Sequence, residues 1–167
     1  MPRMMRTLVL ILLLLSPAAM AQECPPIAAD FDGVIYSVTS GQTLTVDVVA
    51  PGSKDVHRHN VRLFGIETDA PHNWPWGPRA KDNLSQVVQK DTYLRCTTIG
   101  VTGLCEVLAT CRNSLTDLGV WQAQLGVAIH SNLDFNSFNS GASLKAVAMI
   151  LDAEDAARAA KRGIWAD

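Results

Sequence analysis

The chain has 167 residues, 48% of them hydrophobic and 18% charged, which is enough length and apolar content for one domain with a real core. A formal net charge of −2, from 14 basic and 16 acidic side chains, argues against a protein that grips a phosphate backbone through bulk positive charge, because such affinity comes from releasing counterions. Only Arg158 to Arg162 is locally basic, and there the cations alternate with alanines on helix-forming sequence.

At the N-terminus, Arg3 and Arg6 precede the apolar run Leu8 to Leu15, Ser16-Pro17 ends that run, and Ala19-Met20-Ala21 presents small residues to a signal peptidase. This pattern predicts a secretory signal peptide, residues 1–21, with cleavage before Gln22 and a domain over 22–167. The run is far shorter than the roughly 20 residues needed to span a bilayer, so no membrane anchor is expected after cleavage. The expected location is periplasmic or secreted. Losing Arg3 and Arg6, with no acidic residue lost, takes the formal charge from −2 to −4.

Past the leader, Val34 to Val38 reads as a strand, Ser40-Gly41 offers a tight turn, and Leu44 to Val48 resumes with period-two alternation, together a β-hairpin. Pro51 to His59 reads as a polar loop and Val61 to Ile66 as the next strand. The stretch from Glu67 to Gly77 is a loop rich in Pro, Asp, His and Trp. Pro78 suits a first helical position, with Ala80, Leu84, Val87 and Val88 on one face of the helix that follows. Thr92 to Cys96 and Val107 to Cys111 form a second hairpin around Gly100 to Gly103. Thr116 or Ser114 can cap a short helix carrying Leu118, Trp121 and Leu125, with Gly126 as its stop, and Val127 to Ile129 is a short strand. Asn132 to Ser143 reads as a polar loop holding Phe135 and Phe138. Leu144 to Arg162 is an alanine-rich helix in which Glu154 and Arg158 make an i,i+4 pair; Gly163 ends it, and Ile164 and Trp165 fold back on the core. Five short strands and about three helices suit a small β-barrel with appended helices.

Four cysteines, Cys24, Cys96, Cys105 and Cys111, in an exported chain point to two disulfides, for which three pairings exist. Cys96 and Cys111 end adjoining hairpin strands and can face each other; Cys24 then pairs with Cys105 by elimination. A zinc site lacks the required spacing. His57, His59 and His72 make a weak triplet for a transition metal, better read as histidines of solvated loops. Trp74, Trp76, Phe135 and Phe138 could stack on sugars or bases, although Trp76-Gly77-Pro78 is better read as packing at the helix entrance.

Several motifs occur in one order: Ser40-Gly41-Gln42-Thr43, then Arg62-Leu63-Phe64-Gly65-Ile66 with Asp69-Ala70-Pro71, then Trp76-Gly77-Pro78, then Ala159-Ala160-Lys161-Arg162-Gly163-Ile164-Trp165. Over roughly residues 33 to 166 this set resembles the staphylococcal-nuclease-like (thermonuclease) family. The resemblance implies an OB-type five-stranded barrel and an enzyme that cleaves phosphodiesters with one Ca²⁺. Carboxylates hold the ion, a glutamate prepares a water, and two arginines steady the charge developing on phosphorus.

The same resemblance shows where the machinery is missing. Family members carry Asp-Gly-Asp-Thr where this chain has Ser40-Gly41-Gln42-Thr43, so Gln42 stands at a metal-binding aspartate and brings no charge. The first arginine is kept as Arg62, either for phosphate or as a rim residue paired with Glu67 or Asp69. Two registers fit the next segment. Without a gap, Glu67 takes the metal position; with a two-residue insertion, the preferred register, Asp69 takes it and His72 replaces the glutamate base. The second arginine has no counterpart, since Glu106 or Leu104, depending on alignment, stands in its place. The family-equivalent catalytic positions are thus Arg62, Asp69 and His72, and the metal positions Gln42, Asp69 and Glu67. The expected function is that of a pseudoenzyme: an exported scaffold for binding or assembly, with no cofactor, whose partner is a protein or a polysaccharide. Similar exported proteins are associated with exopolysaccharide (succinoglycan) biosynthesis. The alternative is a weak or altered calcium-dependent nuclease, for which Ca²⁺ and nucleic acid would be cofactor and substrate.

Overall fold

The computed structural model describes residues 24–50, 52–137 and 141–166, the side chains of 135–137 excepted. The expected leader and Phe138 lie outside the described residues, as does the side chain of Phe135. Five strands close a barrel: β1 (Asp30–Val38), β2 (Thr43–Val49), β3 (Val56–Leu63), β5 (Tyr93–Val101) and β6 (Val107–Arg112), in the order β1-β2-β3-β6-β5. All pairings are antiparallel except β3 with β6, the arrangement of an OB-type barrel. A small separate ladder joins β4 (Ile66–Glu67) to β7 (Ile129–His130).

The barrel forms because its strands alternate. In β2, Leu44, Val46 and Val48 face the interior, and in β3 Val61 and Leu63 do the same. With Ile35, Leu94 and Val107 they build one core from which water is excluded. β3 begins five residues earlier than the sequence suggests, because His57, Arg58 and His59 continue the alternation. Arg58 on its outer face pairs with Asp47 across the ladder at 2.7 Å. The run Val61 to Ile66 is not one strand: Gly65, at φ 82°, turns the chain so that Ile66 starts β4.

Among the described residues, four α-helices pack around the barrel: α1 (Trp76–Val87), α2 (Leu118–Gln124), α3 (Asn132–Ser137) and α4 (Gly141–Ala159), before a 3-10 turn at Gly163–Trp165. Several expected boundaries move. α1 starts at Trp76, so Pro78 stands third in the helix; the first turn has no intrahelical partner for its N–H groups, and proline costs nothing there. Gly77 allows this start, because a Cβ on it would lie 1.8 Å from the Ala70 carbonyl oxygen. Asp117, rather than Thr116 or Ser114, caps α2, accepting the N–H groups of Gly119 and Val120 at 3.0 and 3.1 Å. The expected loop at 132–143 contains α3 and the first turn of α4. Ser131 Oγ meets the Asp134 N–H at 3.4 Å, as a serine N-cap does.

Three polar side chains fasten the helices to the barrel. Buried Gln122 of α2 donates to the carbonyls of Gly41 (2.6 Å) and Ala80 (2.8 Å), joining the β1–β2 turn to α1 and α2. Glu154 of α4, also buried, accepts the His130 N–H (2.7 Å), His130 Nδ1 (3.0 Å) and the Arg158 guanidinium. Arg158 in turn lies 4.1 Å from the Trp165 ring centre. The third is Asp134, described below.

Two disulfides complete the fold. Cys96 and Cys111 are directly opposed within β5 and β6, not at the strand ends, with Cα atoms 4.2 Å apart; Cys24 is joined to Cys105. These bridges indicate an oxidising compartment. Among the described residues, no helix is long and apolar enough to cross a membrane.

The Glu154 latch carries a pH signature. Burial pushes its carboxyl up, but the His130 and Arg158 donors outweigh burial and hold it below the ordinary 4.5. A carboxyl depressed in the folded state adds stability that is complete above the unfolded value and vanishes as pH falls through the folded one. The stability advantage of the native chain over Glu154→Gln should therefore shrink as pH falls below 4.5. Thermal unfolding of both proteins across that range checks it.

Candidate functional site

Arg62 is the next-to-last residue of β3, at the barrel rim where β3 runs beside both β2 and β6; its Cα partners are Thr43 and Leu108. Its side chain keeps 22% of its exposure, and each nitrogen of its guanidinium faces a carboxylate. Nη2 lies 2.7 Å from Asp134 Oδ1 and Nη1 lies 3.3 Å from Oδ2, a two-pronged carboxylate contact. Nε lies 3.4 Å from Glu106 Oε2. Asp134 itself is only 3% exposed, and its Oδ2 also accepts the Gly65 N–H at 2.9 Å. The two carboxylates that hold Arg62 are thus Asp134 and Glu106, not the neighbouring Glu67 or Asp69. The expected rim pairing is corrected. It fails because Gly65 turns the chain after Phe64, and the N–H exposed by that turn is taken by Asp134, together with Arg62.

The electrostatic result follows directly. One guanidinium faces two carboxylates, so the cluster carries a formal charge of −1 at neutral pH. A phosphate approaching Arg62 would meet net repulsion and would have to displace a buried carboxylate already bound at both oxygens. Of the two residues offered for the missing second arginine, Leu104 is exposed and points to no site. Glu106 sits on Arg62. The position that should reinforce positive charge cancels it.

Gln42 is equally committed. Ser40 Oγ accepts the N–H groups of Gln42 and Thr43 at 3.2 and 3.0 Å, which fixes the turn. The Gln42 carbonyl then accepts the Leu63 N–H at 2.8 Å, and its Oε1 accepts the Thr68 N–H at 2.9 Å. The one side-chain oxygen it could offer a metal is used to hold the backbone between Glu67 and Asp69. Gly41 sits so close to α1 that a Cβ would lie 2.4 Å from the Ala80 Cβ, so the turn is a packing device. Glu67, the last residue of β4, and Asp69 and His72 on the segment after it are all exposed.

These donors do not fit calcium, which wants six to eight hard oxygens with several carboxylates converging. Among the described residues, no three His, Cys, Asp or Glu side chains come together as a metal set. His57 and His59 are not loop residues: both face inward from β3, their ring centres 6.4 Å apart, whereas His72 lies on the exposed turn. Trp74 is 81% exposed; Trp76 is half-buried at the start of α1, with the Arg79 guanidinium 4.9 Å from its ring. The basic run is spent internally too, since Arg158 pairs with Glu154 and Arg162 donates to the Gln124 carbonyl at 3.3 Å.

Asp134 is the residue that the sequence reading missed. The spacing Ser131-x-x-Asp134 is a helix-start signal of the Ser-x-x-acid type, and it was there to be found in an otherwise loop-like stretch. No family model matches the chain, and no curated protein matches it either.

Removing one partner from a buried ion pair leaves the other charge uncompensated. Arg62→Ala should therefore lower the unfolding free energy by about 3 kcal/mol, well above the 0–1 kcal/mol of an exposed pair. Arg62→Ala combined with Asp134→Leu should recover part of that loss. Urea unfolding of the three proteins checks the order.

Proposed function

We propose that the chain is an exported, non-catalytic member of the staphylococcal-nuclease-like family, acting in the periplasm or outside the cell as a binding or assembly module. The reading rests on one observation: the single arginine kept at the phosphate position is neutralised by Asp134 and Glu106. An enzyme of this type must aim uncompensated positive charge at the phosphorus it attacks, and it must gather carboxylates around a cation. Here the cation is answered from within the fold, and the side-chain oxygen of Gln42 is committed to the Thr68 backbone. The scaffold's partner is a protein or a polysaccharide, and the resemblance to exported proteins of exopolysaccharide production favours a role in assembling such polymers.

The purified protein should leave single-stranded DNA intact in calcium, at rates indistinguishable from buffer. Each missing transition-state charge commonly costs about 10² to 10³ in rate, and groups that act as a unit fail together. Single restorations should therefore stay silent, whereas Gln42→Asp, His72→Glu and Glu106→Arg combined should give measurable cleavage. Calcium-dependent hydrolysis by the unaltered chain, lost on adding a chelator, would establish the weak phosphodiesterase instead.

A further inference from the structure

At one open end of the barrel lies a cavity of about 340 Å³, within the size range of small-molecule sites. Phe31 and Val48 supply apolar wall, and Ile27 comes from the segment that precedes β1. That segment is fixed: Cys24 is bridged to Cys105, Thr98 Oγ1 donates to the Ala28 carbonyl at 2.9 Å, and the Thr98 N–H donates to that of Ala29 at 2.7 Å. The cavity is therefore formed in advance rather than assembled by a ligand.

His57 and His59 both line it. His59 is 4% exposed, and among the described residues its ring nitrogens meet no hydrogen-bond partner. Its ring nitrogens are not sealed in the core; they open onto the cavity and can meet a ligand there. Burial, with the neighbouring His57 adding to it, lowers the basicity of His59, so the ring is neutral and offers one donor and one acceptor.

The surrounding chemistry narrows the class of ligand. A metal ion lacks a third ligating side chain among the described residues. No lysine or arginine among the described residues lines the cavity, so an anion would find no cation there to hold it. What suits the space is an uncharged, largely apolar body with one group that both donates and accepts a hydrogen bond. We infer that this end of the barrel is a binding site for a small, uncharged, hydroxyl-bearing apolar molecule, such as a phenol, whose hydroxyl meets His59 and His57 while its ring lies against Phe31 and Val48.

The test is a titration of the purified protein with p-cresol, followed by NMR of the four histidine Cε1–Hε1 resonances. The site predicts saturable one-to-one shifts of the His57 and His59 signals at millimolar p-cresol, with those of His72 and His130 unmoved. Toluene, which lacks the hydroxyl, and p-toluate, which is anionic, should bind at least fivefold more weakly. His59→Leu should weaken p-cresol at least tenfold. If that variant does not fold, the three-ligand comparison on the native protein still decides. Absence of saturable shifts at His57 and His59, or equal binding of toluene, would overturn the assignment.

Discussion

The contact between Arg62 and Asp134 is the constraint on which the functional end of this molecule depends. It joins the end of the barrel strand β3 to the short helix α3, some seventy positions along the chain, and it adds the Gly65 backbone to the same carboxylate. A buried ion pair is seldom more stabilising than a well-packed apolar alternative, but it is intolerant of losing either member. Its effect here is to fix one docking of α3 against the rim. Glu106, reaching across from the β5–β6 hairpin, makes the cluster anionic. The one arginine kept at this rim is answered by two carboxylates of its own fold.

The same economy runs through the polar groups nearby. Gln42 ties the first hairpin turn to the chain after β4, Gln122 ties that turn to two helices, and Glu154 ties α4 to β7. Each of these three side chains is answered by a backbone group or a charge. Among the described residues, the buried indole N–H groups of Trp121 and Trp165 meet no partner. His59 at the opposite kind of surface, an apolar cavity, has no such partner among the described residues.

Much of the barrel was legible in the sequence, for reasons that particular residues make plain. Leu44-Thr45-Val46-Asp47-Val48 alternates strictly, and the structure buries every second residue of it. Cys96 and Cys111 announced a hairpin, and they face each other in it. Periodicity does not name partners, however, so the parallel pairing of β3 with β6 that closes the barrel could not be read locally. The start of β3 was hidden because His57, Arg58 and His59 look like loop composition; only the cross-strand Asp47 makes Arg58 a strand residue. Helix α3 was hidden for a related reason. Its Asn, Asp and Ser residues favour turns in isolation, and the pull of Arg62 and Gly65 on Asp134 is a tertiary effect. At the site, the losses at Gln42 and between the hairpin cysteines were visible as residue types. The occupation of Arg62 was not.

The most direct measurement is calorimetry of the purified protein with a nucleoside bisphosphate in the presence of calcium. If Asp134 and Glu106 hold Arg62 as described, titration gives only heats of dilution, with or without the ion. A saturable, calcium-dependent heat at one site per chain would show that phosphate reaches Arg62 despite them, and it would contradict the account of a rim neutralised from within.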